Sequence, residues 1–252
     1  MLKAIILGAG YATRLYPLTL DTPKPLLDVG EKLMVEHIIE RIVEMNQAGR
    51  IIEKIIIVTN SKFFPHFDAW NSGFDCPIEL AIIDDGTTCN EDRLGAIGDM
   101  DFVIKKEAID DDALVIAGDN LFDFSLADMH SFFIKKQASV IAVYDMQDRS
   151  LLARKLGVVE LDKDQRIIGF EEKPDNPKSS LASTACYMFS KDDMAELERC
   201  IAEHKKPDNT GDFVRYLSSK KPVYGYSFRG RWFDIGSKEQ LEHVRKLYRD
   251  RK

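Results

Sequence analysis

Apolar residues recur along this chain in two rhythms. Short β-branched runs stand at KAIILG (3–8), KIIIVTN (54–60), IELAIID (78–84), ALVIAGDN (113–120) and ASVIAVYD (138–145). Continuous runs of this length fit strands covered on both faces. Between the first two, Val35, Ile38, Ile39, Ile42 and Val43 repeat at helical spacing. Another helix opens at Ser125, with Leu126, Met129, Phe132 and Phe133 on one side and Asp128 where a capping box needs its acid. The alternation predicts βαβ units and a largely parallel sheet over residues 2–145.

Beyond residue 150 the rhythm changes. GVVELDKDQRIIGFEEKP (157–174) predicts a hairpin around a polar turn at Asp162 to Gln165, and ASTACYMFS (182–190) a further strand. A helix follows with Met194, Leu197 and Ile201 inward, then a last strand over VYGYSFRGRWFDIG (223–236). Ser237 and Gln240 cap a terminal helix through Leu241, Val244, Leu247 and Tyr248. No Gly/Ser/Pro-rich linker and no repeat divides the chain, so one domain over 1–252 is expected.

Length changes this picture little: 252 residues can bury a core without metal or disulfide. Charge excludes more. A formal net charge of −7 over a mixed surface argues against a nucleic-acid binder, which needs a basic footprint to neutralise phosphates. No apolar stretch approaches the roughly 20 residues that span a bilayer, so no membrane partner is expected. Met1-Leu2-Lys3 leads into a strand without a signal peptide's features, which predicts a cytoplasmic protein. Cys76, Cys89, Cys186 and Cys200 lack zinc spacing and read as reduced thiols.

The chemistry concentrates in LGAGYATRLYPLTLDTPKPLL, residues 7–27. A glycine-containing turn after a parallel strand presents unpaired N–H groups to an anion, which makes Leu7, Gly8, Ala9, Gly10 and Thr13 a candidate phosphate cradle. The two glycines alone fit a tight connection equally well. A dinucleotide fingerprint would place glycine where Thr13 stands and an acid at the end of the second strand, which ends Val58-Thr59-Asn60; a Walker loop would need Gly-Lys-Ser/Thr. What remains is Arg14 and Lys24 on a backbone stiffened by Pro17, Pro23 and Pro25, a rigid dicationic loop suited to a triphosphate.

With PKPL at 23–26, AGDN at 117–120, GVVE at 157–160, EEKP at 171–174 and RWFDIGS at 231–237, this loop resembles the sugar-1-phosphate nucleotidyltransferases, with glucose-1-phosphate thymidylyl- and uridylyltransferases the nearest examples. The resemblance implies an α/β fold: a Rossmann-like three-layer sandwich around a mixed, mostly parallel sheet, the nucleotide-diphospho-sugar transferase fold. It implies a nucleotide-binding part over about 1–120, an acceptor part over about 121–236 and a C-terminal helix over 237–252. The implied reaction joins a nucleoside triphosphate (UTP, dTTP or CTP) to a sugar 1-phosphate or similar phosphate ester and releases pyrophosphate, with Mg²⁺ as cofactor.

Asp119, after the fourth apolar run, suits a strand end that faces a ligand crevice, although a lone Asp there is more often a cap. The resemblance implies that it meets Asp234 as the second protein ligand of one Mg²⁺. It also implies that Lys173 grips the acceptor phosphate, beside Glu172 on sugar hydroxyls and the Gly157 amide near the ring, so that Arg14, Lys24 and Lys173 form the catalytic cations. Trp232 reads as core, and His37 and His130 as structural.

Three positions depart from the family pattern. Ala12 stands where glycine is usual, and would be strained if that position has a positive φ. DDGTTCNEDRLGAIGD (84–99) lacks the Gln expected to read uracil or thymine, leaving Thr87 and Gly95 as nucleotide contacts. LASTACYMF (181–189), with Thr184 as the candidate contact, differs from a hexose-site pattern. A cytidylyltransferase acting on a phosphorylated polyol or amino alcohol such as phosphocholine stays open, as do a non-catalytic nucleotide-binding regulator and a homo-oligomer. No appended acetyltransferase or regulatory domain is expected.

Overall fold

Buried β-branched runs set the centre of the sheet. In chain order the elements of this computed structural model, which describes residues 1–47, 49–203 and 208–249, are β1 (Leu2–Leu7), β2 (Asp28–Val29), β3 (Lys32–Leu33), α1 (Met34–Gln47), β4 (Ile52–Thr59), α2 (Phe64–Asn71), β5 (Glu79–Asp84), α3 (Gly95–Lys106), β6 (Asp112–Ala117), β7 (Asn120–Phe122), α4 (Leu126–Lys136), β8 (Val140–Asp145), β9 (Gly157–Leu161), β10 (Ile167–Glu172), β11 (Leu181–Phe189), α5 (Lys191–Met194), α6 (Leu197–Glu203), α7 (Thr210–Lys220), β12 (Tyr224–Ser227), β13 (Trp232–Asp234) and α8 (Lys238–Arg249).

The large sheet runs β10-β9-β11-β6-β1-β4-β5, with β8 on β11 and β12 on β8. β1 is parallel to both β4 and β6, and β4 to β5. β11 enters antiparallel to β6, β8 and β9, and β10 antiparallel to β9. β12 is parallel to β8, so only β10 and β11 run against the other strands of this sheet, which is mixed and mostly parallel, as expected.

Alternation along the strands builds two cores. Ala4, Ile6, Ile55 and Ile57 face α1 and α4, meeting Ile38, Ile42, Met129 and Phe133; Ile5, Ile56 and Val58 face the opposite layer, meeting Ile97, Met100, Val103, Phe213 and Leu217. Helices cover both faces, which makes three layers. Each fully buried Ile or Leu contributes about 2 kcal/mol of transfer free energy. α8 closes a smaller core in which Leu241 and Val244 pack on Leu15, Val29 and Met34.

The structure corrects three element expectations. The run at 113–120 is not one strand: β6 stops at Ala117, and Asn120 begins β7, which pairs with β13. The strand expected over 223–236 is likewise two, since Gly230, at φ +124°, turns the chain between β12 and β13. The helix through Met194, Leu197 and Ile201 is divided into α5 and α6. α2, α3 and α7 were not anticipated. The predicted caps form: Asp128 N donates to Ser125 Oγ at 3.1 Å and Gln240 N to Ser237 Oγ at 3.2 Å. Among the described residues no helix is long and apolar enough to cross a membrane, and no disulfide joins the four cysteines.

Candidate active site

At the C-terminal ends of the central strands lies a cavity of about 1000 Å³. Its floor is the turn after β1. Gly8 N donates to Val58 O at 2.8 Å, and a Cβ on Gly8 would come within 3.1 Å of that oxygen. Asn60, buried at the end of β4, donates to Ala9 O at 2.7 Å and accepts from Phe63 N at 3.0 Å, so one amide side chain pins the loop. Ala12 sits at φ 48°, ψ 41°, a left-handed conformation costing an L-residue about 1–2 kcal/mol. Thr19 Oγ1 and Leu15 N both donate to its carbonyl, at 2.8 and 2.9 Å, and hold it there. Alanine thus occupies a left-handed position of the kind that favours glycine.

Leu7, Gly8, Ala9, Gly10, Arg14 and Lys24 line the cavity, whereas Thr13 does not. Across it stands the Gly118-Asp119 turn between β6 and β7. Gly118 N donates to Leu7 O at 2.8 Å, and a Cβ on Gly118 would meet that same oxygen at 2.8 Å and Pro25 Cγ at 3.0 Å. Only glycine permits this approach, which brings Asp119 over the loop. Lys24, itself buried, donates from Nζ to Asp119 Oδ2 at 2.7 Å.

The β13–β7 ladder sets Asp234 opposite Asn120, next to Asp119. Burial and then the Asp119 charge push the Asp234 carboxyl up to about 6, while Lys24, Arg14 and Lys173 act in the opposite sense. Two carboxylates that repel each other in a cavity ringed by cations form a hard-oxygen donor set of the kind Mg²⁺ takes with one or two protein carboxylates and ligand phosphates. These residues, far apart along the chain, meet because β7 and β13 pair.

The other wall carries Gly157, Glu172 and Lys173. Lys173 Nζ lies 3.0 Å from Glu172 Oε1, and its backbone φ is +46°. A Cβ on Gly157 would come 2.9 Å from Phe170 Cζ and 3.2 Å from Glu172 Oε2, so this glycine keeps space beside the carboxylate. Thr184 also borders the cavity, but its hydroxyl is turned away, donating to Ala142 O at 2.9 Å. Thr87 is directed likewise: its hydroxyl donates to Asp85 Oδ1 at 2.7 Å, and it does not line the cavity. Gly95 does; at φ +76°, it opens α3, whose Ala96 N donates to Asp208 O at 2.8 Å.

Sequence reasoning missed two asparagines and saw only the packing side of an indole. Asn120, buried, accepts from Trp232 Nε1 at 2.6 Å and donates to Thr184 O, joining β7, β11 and β13 behind the site. Trp232 is therefore half-buried: it packs on Tyr144 at 5.9 Å and also lines the cavity. Neither asparagine has a local signal beyond its place just after an apolar run. His37 is structural, its Nε2 lying 2.8 Å from Val29 O.

The chain is 27% identical over 250 residues to the bifunctional protein GlmU of Methanocaldococcus jannaschii, covering 99% of this chain and 55% of that one. It is 28% identical over 250 residues to a glucose-1-phosphate adenylyltransferase of Thermosipho melanesiensis, covering 93% and 58%. The chain thus spans little more than half the length of these curated relatives. Its fold is that of a UDP-glucose pyrophosphorylase solved with UDP-glucose, at TM-score 0.84, 20% identity and full coverage of both chains. It also matches a UTP-bound enzyme from Acinetobacter baumannii, at TM-score 0.78, 22% identity and 98% and 93% coverage. A nucleotidyl transferase family model matches residues 3–251, and with that span and this cavity the chain belongs to the nucleotidyl transferase family.

Proposed function

We propose that this chain is a nucleotidyltransferase that joins a nucleoside triphosphate to a sugar 1-phosphate, yielding a nucleotide sugar and pyrophosphate. The observation that carries the reading is the convergence of Arg14, Lys24, Lys173, Asp119 and Asp234 on one cavity between two glycine-lined walls. Two polyanions must approach, and an oxygen of one must attack the α-phosphorus of the other in line with the departing pyrophosphate. Such a reaction needs charge neutralisation and alignment more than proton transfer, because the attacking phosphate is already largely ionised near neutral pH.

The turn amides of Ala9 and Gly10, the Gly8 amide being engaged by Val58 O, and the Arg14 and Lys24 cations hold the triphosphate and take up charge on the leaving pyrophosphate. Lys173 grips the acceptor phosphate, Glu172 accepts from acceptor hydroxyls, and Gly157 leaves room for the ring. Asp119 and Asp234 would hold Mg²⁺, which supplies charge neutralisation between the two phosphates when bound.

Pyrophosphate release, measured with Mg²⁺, each of ATP, CTP, GTP, UTP and dTTP, and a panel of sugar 1-phosphates, tests the reading. At least one pair turns over, and Asp119→Asn loses that rate by two orders of magnitude or more. Full activity in Asp119→Asn overturns the carboxylate assignment, and tight triphosphate binding with no release across the panel favours a non-catalytic regulator.

A further inference from the structure

One wall of the cavity takes no part in that chemistry. In the order of the sheet, the acceptor wall stands on β9 and β10, the reacting groups at the ends of β6 and β1, and Asp85, directly after β5, at the far margin. Asp99, one turn into α3, borders the cavity beside it. A triphosphate laid over the β1 turn, with its α-phosphate toward Asp119, carries its base to this margin.

Asp85 and Asp99 are 7% and 6% exposed. Asp85 Oδ1 accepts both the amide and the hydroxyl of Thr87, each at 2.7 Å. Its Oδ2 and Asp99 Oδ1 are sealed from solvent and find no donor among the described residues. Two buried carboxylates in contact do not both ionise, and one proton between Asp99 Oδ1 and Asp85 Oδ2 satisfies both orphaned oxygens at once. Burial, with the Asp85 charge and the hydrogen bond to it, pushes Asp99 up to about 8, so the proton is held at neutral pH. With that proton committed between them, the pair offers acceptors rather than donors to the cavity that Asp85 and Asp99 both line.

The neighbouring charges reinforce this polarity. Asp208, at the mouth, adds a further negative charge and is paired through its own Oδ2 to Arg93 at 3.1 Å. Tyr11, whose hydroxyl lies close to Thr87, stands behind the pair, and Asp84 and Asp92 add charge from the same loop.

We infer that the Asp85–Asp99 pair reads the nucleobase and selects one with an exocyclic amino group on its pairing edge (cytosine, adenine or guanine) over uracil and thymine. An amino group offers N–H donors to an acceptor wall. Uracil and thymine present one N–H between two carbonyl oxygens, and those oxygens would face carboxyl oxygens with no donor between them. A glutamine, having both donor and acceptor, would suit such bases; an acid pair with its only proton turned inward does not. The inference rests on the nucleotidyltransferase reading.

Direct binding separates the two. Calorimetric titration of the whole protein with CTP, ATP, GTP, UTP and dTTP, in Mg²⁺ at pH 7, should give at least one amino-bearing triphosphate a Kd tenfold or more below those of UTP and dTTP. Asp99→Leu, close in volume and without the acceptor, should reduce that ratio to threefold or less, with circular dichroism confirming the fold. Asp99→Asn should restore it, because its amide N–H takes the place of the shared proton and leaves the carbonyl outward. Equal or tighter binding of UTP or dTTP by the wild type overturns the base assignment alone, as does a preference unchanged in folded Asp99→Leu. Failure of every triphosphate to bind overturns the nucleotidyltransferase reading and this inference with it.

Discussion

Replacing Asp99 by asparagine should change how stability depends on pH. The folded-state value is about 8, against 3.8 for an unperturbed aspartate. Below about pH 4 both native and unfolded chains carry the proton, and the native state has its full stability. Between about pH 4 and pH 8 the unfolded chain has released a proton that the native chain still binds. Unfolding free energy therefore falls by up to ~1.4 kcal/mol per pH unit across this window, and the loss levels off above pH 8. The introduced amide donates to Asp85 and does not titrate, so this site's contribution disappears from the variant.

From pH 5.5 to 7.5 the variant should accordingly gain about 2–3 kcal/mol relative to wild type, which for a chain of this size is roughly 5–10 °C in Tm. Differential scanning fluorimetry at pH 5.5, 6.5 and 7.5 reads it directly, because titrating groups that do not touch the acid pair cancel in the difference. A Tm difference that is constant across these pH values would refute the shared proton. So would one that grows toward acid.

Two further substitutions probe the catalytic geometry. Lys173→Met removes the cation beside Glu172 and should lower kcat/KM for the phosphorylated acceptor about 100-fold while leaving triphosphate Kd within threefold, as separate steady-state and calorimetric measurements would establish. Gly118→Ala drives a Cβ onto Leu7 O and should cost about 2 kcal/mol in urea unfolding, with a loss of pyrophosphate release as Asp119 is displaced; a fully active, fully stable variant would show that the close approach is dispensable.

The sequence carried the centre of the fold because burial on both faces leaves a local trace: IIIV in β4 and LVIA in β6 have no polar position to confuse the pattern. It failed where a strand end depends on a partner far away. β7 exists because β13 pairs with it, and three residues of NLF cannot announce that. α3 was hidden because its start is supported by Asp208, from a distant segment, rather than by a capping residue of its own. The loop glycines and Lys24 were legible because the chemistry of holding phosphate demands small residues and charge in one place, and Asp119 because it follows an apolar strand run. Asn60 and Asn120 were not, since each acts by reaching a backbone carbonyl on another element. The acid pair was least visible: in an aspartate-rich stretch nothing local separates a buried carboxyl from a solvated one.

The order of strands has an evolutionary consequence. In the proposed reaction the phosphate-holding turn and Asp119 follow β1 and β6, inner strands whose neighbours on both sides constrain the backbone. The residues proposed to meet the acceptor and the base stand on the two flanks of the sheet, where fewer partners resist change. A lineage of such proteins can therefore exchange what it recognises by altering marginal strands and their loops, while the reaction itself is inherited intact.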